Sequence, residues 1–331
     1  MASKKVTYNH YPLFTDRVVK AQRRINNLPK KQAAGVMKLM LDNPEFVNSL
    51  DALVMAMEHQ LVKRGGRFII PDAHLSERLS NIKLSSVTGE AWSWPYEFSI
   101  VSVPTRQRFA GKACEGIFVG WTNREDMETR YFPELLKAHR SSNHVWAAGS
   151  QGRLLEIIVP GEPDPRLPGG FPSVLRLSLS PDDIIKFIND EALERPSNTS
   201  FIMAEMNEEE ASVMKAVTRY VLSLGMYISA YPDAVSSGVP DYMGNKHPGT
   251  QKVVRPRFVA IGQDRDQGLQ DALSAPRHVP SHWRQLRHDK YYQGERKHQP
   301  RGTRYVLVSG YATGRDRVTG VEDLHEHDNE Q

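Results

Sequence analysis

Cys114 is the only cysteine in 331 residues. One thiol makes no internal disulfide and supports no cysteine-based zinc cluster, and such usage fits a reducing cytosol. Beside the apolar run at 117–121, Cys114 is expected to be a small buried hydrophobe and not a reactive thiol. Long hydrophobic runs are also missing. The most apolar stretch, Val213 to Tyr231, is interrupted by Lys215 and Arg219. No window reaches the roughly 18 uninterrupted apolar residues of a membrane span, so no membrane partner is expected. The start, MASKKVTYNHYPLF, has lysines but no apolar run of signal-peptide length. Enzyme signatures are scarce too: there is no Gly-rich phosphate loop ending in Lys-Ser/Thr, no G-x-S-x-G elbow and no H-E-x-x-H. The chain announces neither an enzyme nor a cofactor, and it has no internal repeat of about 20–50 residues.

What is present fits a folded protein. Hydrophobic residues at 39% and charged residues at 25% exclude wholesale disorder and collagen. At 331 residues the chain exceeds what one core usually serves, which suggests about two domains, or one with appendages. The net charge of only +4 conceals a partition: residues 1–41 carry +8, residues 42–250 carry −7, residues 251–317 carry +8 and the last fourteen carry −5. Two basic segments flanking an acidic middle favour an anionic partner at the basic ends. The same pattern also fits basic ends docked on the acidic middle, or simply solvated.

Periodicity divides the chain. Thr15 is placed to cap a helix running to Leu28, a second helix is predicted from Lys31 to Leu41, and Asn43-Pro44 opens a third that ends at Gly65-Gly66. From Arg67 the period shortens toward two. Strands are predicted at Phe68–Ile70, Tyr96–Val103, Glu115–Trp121, His144–Ala148, Leu154–Val159 and Val174–Leu179. The loop at 161–172 is rich in proline and glycine. Trp92, Trp94 and Tyr96 open a strand and are expected in the core or its rim, with a stacking platform as the alternative. Helices return behind Ser180-Pro181 and behind a capping box formed by Asn207 and Glu210. The predicted class is α+β: an N-terminal helical subdomain (1–66), a body with an antiparallel sheet packed by helices (67–232), an irregular linker (233–275), a basic strand-containing module (276–320) and an acidic tail (321–331) expected to be disordered. A terminal strand over Arg304–Tyr311 is a candidate addition to the central sheet.

The chemistry concentrates near the C-terminus. Residues 276–304 hold eight Arg/Lys and four His against two acids, interleaved with Trp283, Tyr291 and Tyr292. Cations neutralise phosphates while aromatic faces and guanidinium planes stack on unpaired bases, so the segment suits single-stranded nucleic acid or structured RNA. A basic module that contacts another protein fits the same composition. His282, His288 and His298, with Tyr292 and Glu295, also hold the ingredients of metal-independent RNA cleavage, in which one imidazole takes a proton, another gives one, and arginine stabilises the phosphorane. If the chain is an enzyme, a ribonuclease is the class expected. His325-Glu326-His327-Asp328 has donors for a divalent ion, but in a charged tail no metal site is expected.

Arg277-His278-Val279-Pro280, His282-Trp283-Arg284, Tyr291-Tyr292-Gln293-Gly294-Glu295 and Arg304-Tyr305-Val306, in that order, resemble the C-terminal module of a type V-A anti-CRISPR family of phages and plasmids. Weaker echoes are Trp94-Pro95-Tyr96-Glu97-Phe98, Glu115 through Trp121, and Tyr231-Pro232-Asp233 after an apolar helix. The resemblance covers about the last 60 residues in detail. It implies a factor of the bacterial host cytoplasm that recognises a host polypeptide, a nascent Cas effector chain being one candidate, and lowers its production through loss of the translating mRNA. The implied partners are that polypeptide and, through the basic module, RNA or the ribosome. His282, Trp283, Arg284, Tyr292, Gly294 and Arg304 carry over as parts of the functional surface. Arg287, Tyr291, Arg296 and Lys297 join them on charge and stacking grounds.

Overall fold

Apolar side chains at both parities of the strand segments call for a sheet covered on both faces. The protein is seen in a computed structural model that describes residues 5–32, 49–82, 84, 94–123, 153–161, 173–189, 207–245, 256–262, 278–279, 282–285, 305–308 and 311–312. In chain order the strands are β1 (Tyr8–Asn9), β2 (Arg67–Pro71), β3 (Phe98–Val101), β4 (Val103–Pro104), β5 (Arg108–Phe109), β6 (Lys112–Ala113), β7 (Ile117–Asn123), β8 (Arg153–Pro160), β9 (Val174–Leu179), β10 (Val235–Ser237), β11 (Arg257–Ile261), β12 (His278–Val279), β13 (His282–Gln285), β14 (Tyr305–Val308) and β15 (Tyr311–Ala312). The helices are α1 (Phe14–Asn26), α2 (Ser49–Arg64), α3 (Ala73–Ser80), α4 (Pro181–Ile188) and α5 (Glu208–Ala230).

Seven strands form the central sheet in the order β10-β11-β2-β3-β7-β8-β9. Alternation along each strand divides its side chains between two cores. Ile69, Val101, Val119, Leu155, Ile157, Val159, Leu177 and Leu179 join Leu75 and Leu79 of α3, Ile184 and Ile188 of α4, and Val217, Val221 and Leu224 of α5. Phe68, Phe98, Ile100, Phe118 and Ile158 face the other way, onto Phe14 of α1 and Val54, Met57 and Leu61 of α2. Each such side chain taken from water contributes about 1.5–3 kcal/mol. Helix α5 is buried around its whole circumference from Tyr220 to Ile228, which explains its apolar composition. The predicted capping box opens it: the Asn207 side chain accepts from the Glu210 amide, and the Glu210 carboxylate accepts from the Asn207 amide. Ser180 caps α4 as expected.

The α+β class holds, but the sheet is mixed. β2 pairs in parallel with both β3 and β11, while the other neighbours are antiparallel. The chain crosses from β2 to β3 by way of α3, a helix inside the segment read as strands. Asp72 caps it, its Oδ1 accepting from the amides of His74 and Leu75. Within 233–275, read as an irregular linker, β10 and β11 enter the central sheet, since the apolar run from Phe258 to Ile261 has a buried slot beside β2. The terminal strand does not join that sheet: β14 pairs with β13. Thr15 is not the cap of α1, which starts at Phe14 without a side-chain cap from its own N-cap residue, Leu13. Beyond the described residues lie the predicted strand at His144–Ala148, the second helix after Gln32, the Asn43-Pro44 start and residues 162–172. Among the described residues no helix is long and apolar enough to cross a membrane.

Candidate interaction surface and buried polar centres

The ladder between β13 and β14 brings together two parts of the C-terminal motif that lie about twenty residues apart. His282 stands opposite Val308, Trp283 opposite Leu307, Arg284 opposite Val306 and Gln285 opposite Tyr305, while β12 pairs with β15 just outside them. β14 lies beside α5, so the ladder adjoins the body at that helix. Of the predicted site, His282, Trp283 and Arg284 are thus placed on one strand. Arg287, His288, Tyr291, Tyr292, Gly294, Glu295, Arg296, Lys297, His298 and Arg304, and the His325–Asp328 tail, lie outside the described residues.

The aromatic cluster at 94–96 belongs to the core and its rim. Trp94 is buried, its indole N–H donating to Ser99 Oγ at 3.0 Å, and its carbonyl accepts the Trp121 indole N–H at 2.7 Å. Tyr96 packs edge-on against Trp94, with the Arg67 guanidinium 4.7 Å from its ring centroid. Trp92 lies outside the described residues. Cys114 is buried, donates to the Gly116 carbonyl, and burial pushes its thiol up to about 12, so it carries no thiolate near neutrality.

Three buried polar centres hold the body together. Glu58 reaches from α2 to cap α1: its carboxylate accepts from the Tyr11 hydroxyl (2.9 Å), the Phe14 amide (2.6 Å), the Thr15 amide (2.9 Å) and the Thr15 hydroxyl (2.8 Å). Burial pushes its pKa up, and those four donors hold the charge against that rise. Helix α1 therefore takes its cap from another helix. Glu58→Gln leaves one acceptor oxygen facing these donors and should cost about 2 kcal/mol. The check is amide hydrogen exchange, which should speed up at Phe14 and Thr15 by more than at the sheet amides.

At His10, Nδ1 lies 2.9 Å from Ser102 Oγ, and the Asn245 side-chain amide donates to the Tyr8 carbonyl and approaches Nε2 at 3.1 Å. An amide donor at Nε2 places the ring proton on Nδ1, toward Ser102. Burial lowers the pKa of His10 to about 4. The imidazole stays neutral in ordinary solution and fastens β1 to the segment ending at Asn245.

The third centre sits on β8 and β9, on the same parity as Ile158. Glu156 accepts from Thr122 Oγ1 (2.9 Å), Arg176 Nε (2.8 Å), Arg176 Nη2 (3.1 Å) and Ser178 Oγ (2.8 Å). All four residues are buried, and Arg176 Nη1 has no hydrogen-bond partner among the described residues. One signal in the sequence marks this centre: Glu156 interrupts an otherwise apolar strand. Glu58 and His10 have no such local mark. Among the described residues no group of three or more His, Cys, Asp or Glu is placed to hold a metal ion.

The surface cations divide. Arg17 turns inward, donating to the carbonyls of Ser173 (3.2 Å) and Gly161 (3.0 Å) at the β8–β9 end of the sheet. Lys20, Arg23, Arg24, Lys30 and Lys31 are exposed. Among the described residues the ion pairs are Arg64–Glu97, Lys112–Glu209 and Arg176–Glu156, and none uses those five. Among the described residues, no ion pair ties these five cations to the acidic middle.

No family model matches the chain, and no curated protein matches it in sequence. Among solved structures, the crystal structure of AcrVA2 is similar over 91% of this chain and 94% of that one, at 12% sequence identity and a TM-score of 0.40.

Proposed function

We propose that the chain is an anti-CRISPR-like regulator of the mobile-element kind, which recognises a host polypeptide as it is synthesised and lowers its production through loss of the translating mRNA. The observation that carries this reading is the succession of sequence motifs from Arg277 to Val306. The pairing of His282–Gln285 with Tyr305–Val308 supports it by giving the motif's two ends a common strand ladder. In this reading the basic run between those strands, with Arg284, Arg287, Arg296, Lys297 and Arg304, contacts RNA or the ribosome. Tyr291 and Tyr292 supply stacking faces. The host cytoplasm is the compartment in which such a partner is made.

Affinity capture of the tagged full chain under gentle lysis tests the reading. Ribosomes together with one defined nascent polypeptide and its transcript should be recovered. Recovery of neither, from a lysate in which the tagged protein is soluble, would sink it. Partner recovery that RNase treatment leaves unchanged would instead make the chain a protein-binding inhibitor.

A further inference from the structure

We infer that the exposed face of α1 and the turn after it form a second RNA-contact surface, separate from the C-terminal module. The choice of RNA over other polyanions rests on the proposed function; the cationic site itself does not. Phe14, Ala21 and Ile25 face inward along α1. Lys20, Gln22, Arg23, Arg24 and Asn26 are exposed on it, and Asn27, Lys30, Lys31 and Gln32 continue the exposed stretch. Lys20 with Arg23 and Arg24 stands at helical spacings of three and four, within one turn of about 5.4 Å rise. Arg23 and Arg24 also offset the negative end of the helix dipole. Lys20, Lys30 and Lys31 have no such role. From residue 5 to residue 32 the chain has seven cations and one acid, Asp16. The five exposed cations repel one another unless an anion comes between them.

The surroundings identify that anion. A membrane surface takes up an amphipathic helix through its apolar face, and the apolar face of α1 is already buried in the body. A protein interface draws its core from aromatic, Met and Arg side chains with Lys depleted, and this face carries three lysines to two arginines and no aromatic. Val19 is the exposed large hydrophobe on this face; among the described residues the other is Val239, in another segment. Apart from Pro29, the remaining exposed side chains are amides, Gln22, Asn26, Asn27 and Gln32, which hydrogen-bond phosphate oxygens and ribose 2′-hydroxyls.

The experiment is fluorescence anisotropy of the full chain with a labelled single-stranded RNA of about 30 nucleotides, titrated over a range of salt. The comparison set is the wild type, Lys20→Glu/Arg23→Glu/Arg24→Glu, its neutral counterpart Lys20→Gln/Arg23→Gln/Arg24→Gln, and Arg284→Glu/Arg287→Glu/Arg304→Glu. The α1 reversal should weaken binding at least about tenfold at moderate salt, and either α1 variant should reduce the salt slope by about 2, the expectation for three lost phosphate contacts on a single strand. The C-terminal reversal should leave the α1-dependent part of that slope in place. Wild-type slope and affinity in both α1 variants would overturn the inference. So would equal affinity for DNA of the same sequence, or an α1-dependent preference for polyglutamate or phosphatidylserine vesicles over RNA. If α1-dependent RNA binding is found while expression of the chain changes no transcript, the inference stands and the proposed function falls.

Discussion

Gly116→Ala is expected to lower stability by at least about 4 kcal/mol, enough to detach the N-terminal segment from the sheet. Gly116 has φ +104°, and a Cβ there would lie 2.2 Å from the Tyr11 amide nitrogen, 2.8 Å from Tyr11 Cα and 2.9 Å from the His10 carbonyl carbon. All three are backbone atoms, so no side-chain rotation relieves the overlap. The segment that must move carries Tyr8, Tyr11 and Phe14, all buried, along with the His10–Ser102 and Tyr11–Glu58 hydrogen bonds. Gly111 separates strain from overlap. Its φ is +81°, but nothing lies within 4 Å of the position a Cβ would take. Gly111→Ala should therefore cost only the left-handed conformation, about 1–2 kcal/mol. Urea unfolding followed by tryptophan fluorescence measures both. Equal losses in the two variants would show that the close approach of Tyr11 contributes nothing.

Arg176→Met should cost about 3–5 kcal/mol, because it leaves the Glu156 carboxylate buried with two hydroxyl donors and no counter-charge. Restoring neutrality should recover most of that loss. In Glu156→Gln/Arg176→Met the amide oxygen still accepts from Thr122 or Ser178, and no charge remains at the site. The guanidinium it removes had one nitrogen, Nη1, buried without a partner among the described residues. That unrepaid desolvation makes the pair a weak net stabiliser although breaking it is costly. The double variant is expected within about 1–2 kcal/mol of wild type. A double variant as unstable as Arg176→Met would mean that the methionine, and not the lone charge, disturbs the site.

The body was legible wherever one local signal decided the outcome. The 174–179 strand, the Ser180 cap and the Asn207/Glu210 capping box follow from alternation and from side chains that bond within three residues. Elements set by distant partners were not. The start of α1 depends on Glu58, more than forty residues away, so Thr15 attracts the cap assignment although its amide and hydroxyl are donors to that carboxylate. β10 is three residues long with two exposed serines, and only its register against β11 makes it a strand. The parallel pairing of β2 requires the α3 crossover, and α3 is eight residues, short enough to hide between strands. Of the C-terminal site, the ladder that carries His282, Trp283 and Arg284 was legible in part: strand character around Arg304–Tyr311 was visible, its partner was not.

Charge was the coarsest feature of the sequence, and the structure refines it. Lys20, Arg23 and Arg24 of α1 are exposed and enter no ion pair among the described residues, while Arg17 bonds inward. The charge of that exposed face is therefore open to a partner.

The proposed function requires recognition of a polypeptide during its translation, with loss of the message that encodes it. The most direct measurement compares two transcripts of a type V-A effector in cells expressing this chain. One is translated in its natural frame; the other differs by a single-nucleotide frameshift after the start codon, with a second shift restoring the frame beyond the N-terminal segment. The first transcript should fall and the second should not, since only the encoded N-terminal peptide differs. An equal fall in both transcripts, or none in either, would contradict it.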